Sequence, residues 1–181
     1  MKTLRNTLFL LLISSAMMAQ EKFITKSGYT SFYSKAPLED IQADNNQVLS
    51  IMDTSTGAIA ISILMKSFLF EKSLMQEHFN ENYVESDKYP KATFKGNVLG
   101  FENVGTEKSK VSVIGNITIH GVTKPLTMEA TMQQKDSAIL LEGSFPLTIA
   151  DFNIEIPDLV INNIAKEVKV SFEYNHQPYN K

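Results

Sequence analysis

From Gly57 to Met65 the chain alternates, with Ile59, Ile61, Ile63 and Met65 on one face. Ala92, Phe94, Gly96 and Val98 alternate against Thr93, Lys95 and Asn97, and Val111, Val113, Gly115, Ile117 and Ile119 share a face opposite Ser112, Asn116 and Thr118. Leu126, Met128, Ala130 and Met132 oppose Thr127, Glu129 and Thr131, and Val168, Val170, Phe172 and Tyr174 oppose Lys169, Ser171 and Glu173. A period of two with one polar face predicts antiparallel sheet, apolar inside and wet outside. Turn signals separate the runs. Asp53-Thr54-Ser55-Thr56-Gly57 suits a tight hairpin with the strand around Val48 to Met52, His120-Gly121 opens a short connection, and Gly100 to Ser109 reads as a longer hairpin loop.

One segment breaks the pattern. Between Glu71 and Glu85, the residues Leu74, Met75, His78, Phe79 and Tyr83 recur at helical spacing, and Tyr89-Pro90 closes the stretch. The expected architecture is one antiparallel sheet of about seven or eight strands with a short helix across one opening. Periodicity alone admits either two packed layers or one closed barrel. The segments 138–149 and 157–165 are apolar enough for strands without a readable register, and Ile156-Pro157-Asp158 marks a break.

The start of the chain belongs to a different pattern. Lys2 and Arg5 precede an apolar run from Leu8 to Ile13, and small residues lead to Ala19-Gln20. That layout is a secretory signal, expected over residues 1–19, with the barrel domain over 20–181. The run is too short for a membrane span, so stable membrane insertion is not expected. With 0 Cys, the domain holds together by packing alone and carries no lipid-modified N-terminal Cys. Removal of Lys2 and Arg5 from the 17 basic residues leaves 15 against 20 acidic ones. That balance disfavours nucleic acid as a partner. The expected location is periplasmic or secreted.

Reactive constellations are sparse. His78 with Glu77 and Glu81 is the sharpest metal candidate, but a helix edge is the ordinary place for such residues, and no metal is expected. His120 reads as a turn residue and His176 as part of a solvated polar tail. No serine sits on a glycine-flanked elbow and no glycine-rich phosphate loop is present. Asn116-Ile117-Thr118 matches a glycan acceptor but lies mid-strand. The chain is expected to bind rather than catalyse, without a cofactor.

Two blocks carry a resemblance. The first is Ser67-Phe68-Leu69-Phe70, then Leu74 through Tyr83, then Ser86-Asp87-Lys88-Tyr89-Pro90-Lys91-Ala92-Thr93-Phe94-Lys95-Gly96; the second runs from Val113 to Leu126 through Ile119-His120-Gly121-Val122-Thr123-Lys124. They resemble the YceI-like family of exported bacterial proteins, whose pattern has a short acidic helix, a "yP-x-a-x-F" strand and a "G-x-L-T-I-x-G-V-T-K-x-V" hairpin. Many members carry an Arg-Asp pair with Leu where this helix has Met75 to Asn82. The resemblance implies an all-β, antiparallel, eight-stranded, lipocalin-like β-barrel with a short helix over one opening. It also implies an elongated apolar cavity holding a polyisoprenoid or another long-chain lipid. Taken with inward parity, the expected lining is Phe32, Ile61, Ile63, Met65, Phe68 and Phe70, then Leu74, Met75, Phe79 and Tyr83 of the helix. Further round it continues through Phe94, Val113, Ile117, Ile119, Leu126, Met128, Phe145, Val170 and Phe172. Apart from the bound lipid no cofactor is implied, and a homodimer is left open. The alternative is a barrel filled by its own side chains that works through its surface as an envelope interaction or stress protein.

Overall fold

The computed structural model describes residues 22–35, 40–156 and 165–179. The expected signal segment and the apolar stretch 157–164 lie outside the described residues. The strands are β1 (Lys22–Ser34), β2 (Ile41–Asp53), β3 (Ala58–Leu64), β4 (Leu69–Phe70), β5 (Lys91–Leu99), β6 (Ser109–Ile119), β7 (Val122–Lys135), β8 (Ala138–Thr148) and β9 (Glu167–Pro178). All pairings are antiparallel, in the order β1-β9-β8-β7-β6-β5-β3-β2, and β1 pairs back onto β2. Eight strands therefore close into a barrel, and the two-residue β4 is added to β2 through Ala43↔Phe70 and Asp44↔Leu69. Closure leaves no barrel edge exposed. Of the two arrangements that alternation allows, the barrel is the one this chain adopts.

Local chemistry explains the corners. His120 (φ 49) and Gly121 (φ 75) form a two-residue turn between β6 and β7, with both positions left-handed as a tight hairpin requires. β2 pairs with β3 only from Leu49 to Asp53, then with β4 nearer the opening. Asn45, fully buried where the ladder divides, donates from Nδ2 to the Leu64 carbonyl at 3.0 Å and accepts from the Gln47 amide at 2.9 Å.

The helical excursion lies between two strands that are neighbours in the barrel. After β3 the chain makes a 3-10 turn (Met65–Ser67), β4, helix α1 (Ser73–His78) and a π-turn (Phe79–Tyr83), then returns as β5. α1 is too short to be stable alone, so packing must hold it. The barrel interior divides in two. Toward the end that carries the 54–57 and 100–108 connections, Val48, Met52, Val98, Val113, Met132 and Leu141 are fully buried in one cluster. Beneath the helical excursion, a second cluster gathers Ala43, Met65, Phe68, Val84 and Ala92.

Candidate functional site

Between those clusters the barrel is hollow. A cavity of about 440 Å³ opens under α1, within the range of small-molecule sites. Inward positions of β3 (Ile61, Ile63), β5 (Ala92, Phe94), β6 (Ile117, Ile119), β7 (Leu126, Met128), β8 (Phe145, Leu147) and β9 (Val168, Val170, Phe172) form its wall. Every expected lining residue borders it except two. Leu74 is 60% exposed, because the turn of α1 that aims Met75, His78 and Phe79 at the barrel points Leu74 away from it. Val113 is inward-facing but fully buried in the packed cluster beyond the cavity's inner end. Parity gave it the correct face but not the correct depth.

Residues without a sequence signal complete the lining. Thr30, Ser34 and Ile41 come from β1 and β2, and Ile149, Ile154 and Ile156 come from the irregular segment after β8. That segment has no periodicity to read. Its role shows only once it packs beneath the mouth, where Ile154 joins the second cluster.

The mouth is roofed by aromatic rings. Phe79 lies 5.5 Å from Phe32, 5.7 Å from Phe68 and 5.0 Å from Phe70, centroid to centroid. One residue of the excursion thus binds to β1, to the turn after β3 and to β4. The Phe70 amide also donates to Gln76 Oε1 at 3.4 Å. Burial raises the pKa of Tyr83 on the same roof.

Polar groups on the wall are few, and the deep ones are occupied by the protein itself. Thr30 Oγ1 and the Tyr174 hydroxyl share a hydrogen bond of 2.8 Å, and burial pushes the Tyr174 phenol up to about 12. Nearer the mouth, where Ser34 pairs with Ile41, Ser34 Oγ accepts from the Ala165 amide at 3.2 Å. The inner end offers a ligand apolar contact and no charge.

His120 does more than turn the chain. Its Nδ1 lies 3.1 Å from the Phe152 carbonyl oxygen, its ring meets Tyr89 edge-on at 4.5 Å, and its Nε2 is hydrogen-bonded with Glu85 Oε2 at 2.7 Å. This bond holds the Glu85 carboxyl below the usual carboxylate range, with Lys88 adding to the effect. The three connections at the mouth are thereby joined: the end of the helical excursion, the β6–β7 turn and the segment after β8. His176 departs from its expected place. It is fully buried, with Nδ1 donating to the Ile139 carbonyl at 3.3 Å and Nε2 2.8 Å from Ser50 Oγ. Strand β9 continues to Pro178 and pairs with Phe23, so the presumed tail is barrel wall. This Ser-His contact is sealed from solvent. Among the described residues no group of three or more His, Asp or Glu is positioned to hold a metal, and no helix is long and apolar enough to cross a membrane.

A closed antiparallel barrel with a hollow, apolar upper half under an aromatic roof belongs to the lipocalin-like class of architecture. The YceI-like domain model matches residues 26–176, and the chain belongs to that family. A UPF0312 protein of Vibrio parahaemolyticus is 41% identical over 81 residues, which is 41% of this chain and 41% of that protein. A UPF0312 protein of Vibrio campbellii is 39% identical over 49 residues, 27% of this chain and 24% of the relative. These matches span less than half the length of either relative. Among solved structures, a polyisoprenoid binding domain from Saccharophagus degradans superposes with a TM-score of 0.77 at 17% identity, over 87% of this chain and 98% of that one. BcnA of Burkholderia cenocepacia gives 0.69 at 20% identity over 81% and 94%, and the Campylobacter jejuni YCEI protein 0.64 at 14% over 81% and 90%. At these identities the likeness is one of fold.

Proposed function

We propose that this chain is an exported, non-enzymatic lipid-binding protein that holds a polyisoprenoid or other long-chain apolar ligand in the upper half of its barrel. The observation that carries the reading is the cavity: about 440 Å³ of space with apolar walls, whose deep hydroxyls Thr30 and Tyr174 already bond to one another. Such a site matches an apolar chain. Each buried methylene contributes about 0.8 kcal/mol, so a chain binds tightly without charge or catalytic groups. The polyisoprenoid-binding character of the Saccharophagus degradans domain, which shares the fold, supports the same ligand class. A barrel acting only through its surface needs no such space, and the packed cluster fills only the other half. Export is supported by the basic and apolar pattern of residues 1–19 and would place the ligand-bound protein in the periplasm or outside the cell.

Two readouts on the full chain expressed in a bacterial host test these points. The intact mass of the extracytoplasmic protein should correspond to a chain beginning at Gln20, and retention of residues 1–19 in the cytoplasm would contradict export. Addition of all-trans polyprenol to delipidated protein should give a one-to-one complex in native mass spectra. Failure of both polyprenol and fatty acid to add mass would overturn the carrier reading.

A further inference from the structure

The cavity ends abruptly, and three aromatic rings mark where it ends. Phe94, Phe172 and Tyr174 all border it, while Val98, Val113 and His176, further along the same strands or their neighbours, do not. Phe172 and Tyr174 stack at 5.2 Å with an interplanar angle of 27°. Each of the three rings lies against a glycine in an adjacent strand. A Cβ on Gly115 would meet Phe94 Cζ at 2.7 Å, one on Gly143 would meet Phe172 Cζ at 2.8 Å, and one on Gly28 would meet Tyr174 Cδ1 at 2.7 Å. No larger residue leaves room for a ring in these positions. The glycines let the rings lie down against the wall, where they cover the packed cluster and leave the space above them empty.

We infer that Phe94, Phe172 and Tyr174 form a floor that sets how much of an apolar chain the barrel encloses. This inference rests on the lipid-binding reading above. The cavity, about 440 Å³, is bounded at its inner end by these rings. The site therefore takes the apolar end of a chain only to the depth of the floor. Any further length, together with a polar headgroup, stays at or beyond the roof formed by Phe79. The floor offers a headgroup no charged partner, and the Tyr174 hydroxyl is shared with Thr30. The chain therefore enters tail first.

Phe172 and Gly143 allow the depth to be moved in both directions. Phe172→Ala removes the ring and deepens the cavity. Gly143→Ala meets only the Phe172 ring and, at 3.3 Å, the Ala130 methyl, so it displaces a side chain upward without colliding with backbone. The experiment measures Kd for linear all-trans prenols of two to ten isoprene units, on the full chain after delipidation, by competition with a fluorescent fatty acid. Wild-type affinity should tighten by roughly ten-fold or more per unit up to one chain length and then level off. In Phe172→Ala the break should move outward by about one unit, because a large-to-small change leaves a cavity. In Gly143→Ala it should move inward. Phe172→Leu, which keeps more of the core contact, should give a smaller outward shift and guards against loss of folding in the Ala variant. Affinity that keeps rising up to the longest prenol in the wild type overturns the floor, as does a break that no variant moves while prenols still bind. Absence of binding by every prenol overturns the carrier reading and the floor with it.

Discussion

His176 and His120 are embedded in the same barrel with different hydrogen-bond partners. His176 donates from Nδ1 to the Ile139 carbonyl and accepts at Nε2 from Ser50, so the neutral ring satisfies both contacts. His120 lies between the Phe152 carbonyl and the Glu85 carboxylate at the mouth. Burial lowers the His176 pKa from 6.5 to about 4. The unfolded chain then takes up the proton first, so the contribution is complete above pH 6.5 and is lost as pH falls toward 4. The loss across that window is about 3 kcal/mol. Urea unfolding at pH 7 and pH 4.5 should show it in the wild type, with a clearly smaller loss in His176→Gln. Equal losses in both proteins would contradict the assignment. Neither role was legible in the sequence. His176 sits among Asn175, Gln177 and Pro178, a polar setting that hides a strand, and the partners of His120 are supplied by segments more than thirty residues away.

Among the elements, strands were the readable part and the roof was only half readable. Alternation assigned the inward faces of β3, β5, β6, β7 and β9 correctly, because a half-buried strand must repeat every two residues. It gave no depth along the barrel axis, which is why Val113 was expected in the cavity and lies below it. β2 resisted the same reading, since its inward positions include Asn45 and Ser50 and its pairing with β1 shifts register around Gly28. In the roof, helical spacing found Met75, Phe79 and Tyr83 but also admitted Leu74, which a helix of six residues turns outward. The roof depends on Phe79 touching three other rings. Phe79→Ala should remove about 2 kcal/mol of local packing and speed release of a bound chain by roughly ten-fold or more in stopped-flow displacement. The melting midpoint should move by only a few degrees, because the barrel cluster is untouched. An unchanged release rate would mean that the ligand does not leave beneath α1.

At the scale of the whole molecule the barrel is built in two halves that serve different ends. One half is packed with fully buried side chains and supplies stability to a domain that has no Cys to cross-link it. The other half is left open, bordered by apolar walls and closed by side chains from three separate connections. The sequence blocks that resemble the YceI-like family meet at this rim: Tyr89 from one block contacts His120 and Gly121 of the other, and Glu85, just outside the first block, bonds to His120. The resemblance therefore reported the mouth, while alternation reported the wall. The strap containing Ile149, Ile154 and Ile156 was reported by neither, since an irregular segment has no period. The central claim is that the open half carries a lipid. It is tested most directly by native mass spectrometry with organic extraction of the protein purified from its expression host without detergent. The account predicts a bound species in one-to-one ratio whose extracted mass is that of an apolar chain. A clean ligand-free mass that stays unchanged on addition of polyprenol or fatty acid would contradict it.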